Sequence, residues 1–359
     1  MSTPRGLRRL AAALSLTALV TGLAACGDDS DSAGGDGGSG GTIRIAYQAF
    51  PSGDLIVKNQ GWLEEALPDY DIEWTQFDSG ASINTAFVAG SVDIAAIGSS
   101  PVARGLSAPL DIPYQVTWIL DVAGDNEALV ARDGTGIDSV DDLVGHKVAT
   151  PFSSTSHYSL LAALDQAGVD SADVDLIDLQ PQDIVAAWDQ GTIDAAYVWL
   201  PALDQIRQSG TDLISSRQLA TDGKPTLDLG VATTDFIDGN PEAISAWRQV
   251  EARALRLIAD DPDAAAQAVA EELSIDPADA ANQLSQGVFL DPTDLASSEW
   301  LGTPDAPGDL ATALQSAAEF LVDQQQIPEA PSLEDLQAAI YNDGLADDVA
   351  EDASSDQQD

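Results

Sequence analysis

Ile83-Asn-Thr-Ala86-Phe87-Val-Ala-Gly90-Ser91-Val92-Asp93-Ile-Ala95 and, 101 positions later, Ile184-Val-Ala-Ala187-Trp188-Asp-Gln-Gly191-Thr192-Ile193-Asp194-Ala-Ala196 share one plan. Ile, Ala, an aromatic, Gly, Ser or Thr, Val or Ile, Asp and Ala recur in order. Each copy predicts a helix that buries Phe87 or Trp188, stops on a glycine and feeds a buried strand. Two such units predict two lobes of similar build; the alternative is a chance likeness between two ordinary α/β turns.

Outward from the two copies, strand and helix patterns alternate for about 190 residues, the pattern of an α/β protein with mainly parallel sheets. Strands are expected at Thr42 to Gln48, Ile72 to Phe77, Val92 to Ile97, Lys147 to Thr150, Val174 to Leu179 and Ile193 to Trp199. Helices are expected at Leu55 to Leu67, Ala81 to Ala89, from Pro101, at Ser156 to Ala167 and at Ile184 to Asp189. Thr226 to Thr234 reads as a strand that carries the chain back to the first lobe. Beyond it come long helical patterns, Pro241 to Ala259, Pro262 to Leu273, Pro277 to Leu284, Pro307 to Gln325 and Ser332 to Tyr341, each opened by or near a proline or serine that suits a first turn. The resulting division is a first lobe over 42–122, a second over 123–230, a return to the first lobe with C-terminal helices over 231–345, and a disordered acidic tail over 346–359.

The first 25 residues have the order of a secretory signal: Arg5, Arg8 and Arg9, the apolar run Leu10 to Val20, then small residues. Leu23-Ala-Ala-Cys26 has the pattern of a lipoprotein cleavage box, which predicts an N-terminal Cys26 carrying lipid on its sulfur. The alternative is a free thiol in a discarded leader. Residues 26–41, rich in Gly, Asp and Ser, read as a flexible tether. An exported domain held at a membrane surface follows from this order.

Sixty Asp and Glu stand against fourteen Lys and Arg, a formal net charge of −46. Such a surface repels phosphate backbones, and no basic patch is visible, so nucleic-acid binding is set aside. The same excess suits a high-salt environment, or simply an acidic protein of an ordinary one.

Ligands of open α/β sheets sit beyond the carboxyl ends of the strands. Three hydroxyl-rich loops fall there: Asp78-Ser79-Gly80-Ala-Ser82, Gly98-Ser99-Ser100-Pro101, and Ser153-Ser154-Thr155-Ser156-His157. Each opens a helix, so each is either a plain N-cap or part of an oxyanion site. Trp199, at a strand end, is either core or a cover over ligand. Asp228, between Leu227 and Leu229, needs a cation, either a bound ammonium or a lobe-bridging Arg132; Glu127 poses the same question. Gln48 is a further polar candidate at the end of the first strand. His146 and His157 make no metal spacing, and no nucleophile elbow, phosphate loop or dinucleotide fingerprint occurs. A catalytic group, a metal and a cofactor are therefore not expected.

At these residues the chain resembles the substrate-binding lipoproteins of ABC importers for aliphatic sulfonates, the taurine-binding branch above all. The strings that carry the resemblance are Phe77-Asp-Ser-Gly-Ala-Ser-Ile83, Ile97-Gly-Ser-Ser-Pro101, Glu127-Ala-Leu-Val130, Ser154-Thr-Ser-His-Tyr-Ser-Leu-Leu-Ala-Ala-Leu164, Ala196-Tyr-Val-Trp199 and Pro225-Thr-Leu-Asp228. The resemblance implies a two-lobed type II periplasmic-binding-protein clamp with a hinge of crossing segments, monomeric, partnered by a membrane permease and its ATPase. It implies that Ser79, Gly80, Ser99, Ser100, Ser154, Thr155, Ser156 and His157 surround a sulfonate, that Asp228 with Glu127 takes an ammonium, and that Trp199 covers the spacer. A nitrate, alkanesulfonate or pyrimidine ligand on the same fold, or a sensory role, are the alternatives.

Overall fold

The computed structural model describes residues 40–355; the leader, Cys26 and the tether up to residue 39 lie outside the described residues. Two five-stranded sheets carry the architecture. The first combines β1 (Thr42–Gln48), β2 (Asp71–Phe77), β3 (Ile94–Gly98), β4 (Tyr114–Val122) and, from much later in the chain, β10 (Leu227–Thr233), in the order β2-β1-β3-β10-β4. The second combines β5 (Glu127–Arg132), β6 (Lys147–Thr150), β7 (Asp175–Asp178), β8 (Ala195–Trp199) and β9 (Gly210–Ser215), in the order β7-β6-β8-β5-β9. In each sheet three parallel strands meet one antiparallel strand, β10 or β5, which pairs antiparallel again with the edge strand.

The repeat is structural. The helix Gly80–Val88 and β3 have as counterparts the helix Pro181–Asp189 and β8, every boundary displaced by the same interval as the sequence. Gly90 and Gly191 follow the two helices with φ of 66° and 67°, a left-handed conformation that glycine adopts without a steric penalty. The repeated aspartates do one job: Asp93 accepts the Arg44 backbone N–H at 2.9 Å and Asp194 accepts that of Lys147 at 2.9 Å, each anchoring the neighbouring parallel strand of its sheet, β1 or β6.

Three strands had no pattern-based assignment. β4 is buried at almost every position, so it lacks the alternation that marks a half-buried strand. β5 is likewise a continuous buried run, and β9 is short and mostly polar. The helix expected from Leu55 to Leu67 is two helices, Gly53–Gln60 and Trp62–Ala66, because Gly61 takes φ 66° and caps the first. The chain crosses between the lobes at 123–126 and again at 222–226, so β10 belongs to the first sheet and the second lobe closes before residue 230. The acidic tail expected to be disordered is helical over Leu345–Ser355; Asp348 is buried there because it pairs with the buried Arg248 guanidinium at 3.2 Å.

The first-lobe core gathers Trp118, Trp247 and Leu229 beneath the helix Pro241–Asp260. Gly230 is required there, since a Cβ would stand 2.1 Å from the Trp247 ring. The second core gathers Leu129, Tyr158, Leu161 and Tyr197, and it also takes in Ala103 of the first lobe and Phe320 of the helix Leu310–Asp323. The Phe320 and Tyr158 rings meet edge-on at 5.1 Å. That helix therefore does not simply return to the first lobe; it is shared by both. Among the described residues no helix is long and apolar enough to cross a membrane.

Candidate ligand-binding cleft

The carboxyl ends of the parallel strands of both sheets converge on one narrow cavity of about 30 Å³. From the first lobe come Gln48 at the end of β1, Gly80 at the start of its helix, Gly98 at the end of β3, and Asp228 on β10. The second lobe contributes Glu127 at the start of β5, Ser154 and Thr155 at the start of the helix Thr155–Ala167, and Trp199 at the end of β8. Pro101 and Ala123 also line the cavity, and so do Phe50, Pro51, Asn126 and Leu200, which were not foreseen. They sit in the strand-end and crossing loops, where an apolar or amide side chain carries no motif to mark it.

Of the expected residues, Gln48, Gly80, Glu127, Ser154, Thr155, Trp199 and Asp228 line the cavity, and the others do not. Ser79 is fully buried, with its hydroxyl 3.3 Å from that of Ser82. The Ser99 hydroxyl accepts the Leu227 N–H at 3.1 Å, tying β10 to the end of β3. Ser100 is buried behind it. His157 is stacked on Phe152 with ring centroids 4.5 Å apart, and its Nδ1 accepts the Ser153 N–H at 3.2 Å. Burial lowers its pKa to about 4, so it is a neutral packing group at physiological pH. Arg132 does not reach Asp228. It lies over the Trp188 ring at 4.5 Å and donates to the Trp188 and Ile193 carbonyls.

Glu127 lines the cavity, and its carboxylate is also the hub of a hydroxyl network. Its Oε2 accepts from Thr155 Oγ1 at 2.5 Å and Ser156 Oγ at 2.9 Å; its Oε1 accepts from Ser216 Oγ at 2.7 Å, Ser159 Oγ at 3.3 Å and Thr226 Oγ1 at 3.5 Å. Burial raises its pKa, and the bonds from Thr155, Ser216, Ser156 and Ser159 oppose the rise. Thr155 and Ser156 thus spend their hydroxyl protons on Glu127 and turn none toward the cavity. For an oxyanion the cleft offers instead the backbone N–H groups of two helix first turns, Gly80–Ala81 and Thr155–Ser156, in opposite lobes. Because one carboxylate holds two helices and a crossing segment, Glu127→Ala is expected to cost on the order of 3 kcal/mol by leaving buried hydroxyls without an acceptor. Urea unfolding reads this loss, with Glu127→Gln losing less.

Asp228 is the opposite case. It stands directly across from Asp121 in the β10–β4 ladder. Burial, then the nearby charges of Asp121 and Glu127, raise its pKa well above the ordinary carboxylate range. Among the described residues none of Asp121, Glu127 and Asp228 has an ion-pair partner. The Asp228 side of the cavity therefore lacks a cation among the described residues.

The family model described as NMT1/THI5 like matches residues 53–265, more than half of the chain and both sides of this cleft. The chain belongs to that family. Over 192 residues it is 41% identical to the taurine-binding periplasmic protein of Escherichia coli K12, a stretch that covers 54% of this chain and 59% of that protein. The match thus spans less than two thirds of that relative's length. Among solved structures, the alkanesulfonate-binding protein SsuA of Xanthomonas axonopodis pv. citri, bound to MOPS, superposes with a TM-score of 0.72 at 20% identity, over 84% of this chain and 98% of that one. The periplasmic aliphatic sulphonate binding protein SsuA of Escherichia coli superposes with a TM-score of 0.67 at 22% identity, over 84% and 92%. The two-lobed α/β clamp is the fold these family members and structural neighbours share.

Proposed function

We propose that this chain is the extracytoplasmic binding component of an ABC importer, that it captures taurine or a close aminosulfonate between its lobes, and that it hands the ligand to a membrane permease served by an ATPase. The observation that carries this reading is the polarity of the cleft. Half-buried Asp228, without an ion-pair partner among the described residues, and the helix starts at Gly80 and Thr155, whose first backbone N–H groups have no acceptor within their own helices, line the same cavity. A zwitterion answers both: its sulfonate accepts from the backbone N–H groups while its ammonium sits at Asp228. Trp199 and Phe50 supply apolar surface for a two-carbon spacer. The carrier reading is supported by the relatives, which are named for binding.

Thermal-shift measurement of the leader-free domain against taurine, ethanesulfonate, sulfate, nitrate and a hydroxymethylpyrimidine tests the reading. A ligand bound only by the folded state raises the melting point. Taurine is expected to give the largest rise. A larger rise with nitrate, with ethanesulfonate or with the pyrimidine would replace the ligand assigned here. The leader supports lipidation at Cys26, which would hold the monomer at the outer face of the cell membrane. Cys26→Ser is expected to shift the protein from the membrane fraction to the soluble one.

A further inference from the structure

Asp121 does not line the cavity, yet it is the closest neighbour of the residue that matters most there. It is fully buried on β4, directly across from Asp228 in the antiparallel ladder, which sets the two carboxyl groups side by side on one face of the sheet. Two carboxylates so placed without a cation repel each other, and one proton held between them relieves that repulsion. The surroundings offer no substitute for that proton. Asp121 Oδ2 receives a long bond from Asn126 Nδ2 at 3.4 Å, and its Oδ1 has no partner. Glu127 on β5 faces the pair, as does Asp54 at the start of the helix Gly53–Gln60, itself beside the buried Glu251 of the helix Pro241–Asp260. A basic group that acts on this set is Lys58. It acts on Asp54 and is ion-paired to Glu272.

We propose that Asp121 is a positioning residue for amine recognition: in the ligand-free protein it and Asp228 share one proton, and an incoming ammonium takes that proton's place between them. The exchange balances charge, since one ammonium enters and one proton leaves to solvent. It rests on the aminosulfonate reading above. Burial and the flanking acids raise the Asp121 carboxyl to about 7, so the pair still holds a proton at neutral pH. The sign follows: ligand favours the deprotonated pair, so affinity for an amine rises with pH as long as the free pair is protonated. A ligand without an amine leaves the proton where it is and gains nothing from the same change.

Titration calorimetry with taurine in two buffers of different ionisation enthalpy reads the exchange. About one proton released per taurine near pH 7, with affinity rising about tenfold from pH 6 to pH 7, is the expected result. In Asp121→Asn the amide donates to Asp228 in place of the shared proton; release is expected to fall to near zero and the affinity to become flat with pH. Taurine binding without proton release, or an Asp121→Asn protein that still releases one, overturns the role of Asp121 and leaves taurine recognition standing. Absence of taurine binding at every pH overturns the aminosulfonate reading itself.

Discussion

Asp228→Ala weakens taurine binding by between about 30-fold and several thousand-fold, the range for removing one partner of a buried, hydrogen-bonded charge contact. The same change is expected to leave ethanesulfonate affinity within a few-fold of its starting value or to improve it, because that ligand has no ammonium and meets one fewer carboxylate. Stability is expected to change little. Asp228 lies among Asp121, Glu127 and Asp54, each of which raises its pKa, so in the ligand-free protein its removal takes away a group already biased to the neutral form, and the variant is expected to melt close to the parent. Calorimetric titration with both sulfonates and a melting curve without ligand make up the test. Unchanged taurine affinity would remove the basis for placing the amine at this residue.

Gly98→Ala is the second change with a large expected effect, and it acts through closure and not charge. A Cβ on Gly98 would lie 2.6 Å from Thr155 Cγ2, across the cleft in the other lobe, and 3.5 Å from Asp228 Oδ1. Thr155 cannot rotate its methyl aside without giving up the Oγ1 bond to Glu127. The lobes must then stand apart, and overpacking of this kind costs about 1–3 kcal/mol, or about 5- to 150-fold in affinity. Gly80→Ala is the control. Its Cβ would meet the Pro101 ring at 2.5 Å within the first lobe, so it is expected to lower the melting point of the ligand-free protein, which Gly98→Ala leaves nearly unchanged. Equal affinity losses with equal melting-point losses for the two variants would contradict a closure role for Gly98.

Helices with one apolar face and a glycine stop were legible residue by residue, and so were the parallel strands they feed. The antiparallel strands were not. β4 and β5 are buried on both faces, and a continuous apolar run has no period to read. The cleft was legible as a set of strand-end loops, because loop position follows from topology. What the loops do was less so. Serine and threonine next to a helix start look alike whether they cap, bind ligand or serve another side chain. Only the fold shows that Thr155 and Ser156 serve Glu127 and that Ser99 ties down β10. Asp121 had no signal at all, since its meaning comes from a cross-strand partner more than a hundred residues away.

The helix Leu310–Asp323 lies in a seam with Ala103 of one lobe and Tyr158 of the other, and Arg104 reaches across to Ser153 Oγ at 2.8 Å beside it. Parting the lobes wets some of that apolar seam. Opening therefore carries a positive heat-capacity change, as unfolding does on a larger scale. The rate of ligand exchange would then follow a curved Arrhenius plot, and the hold of the closed form would slacken on cooling as the hydrophobic contribution fades.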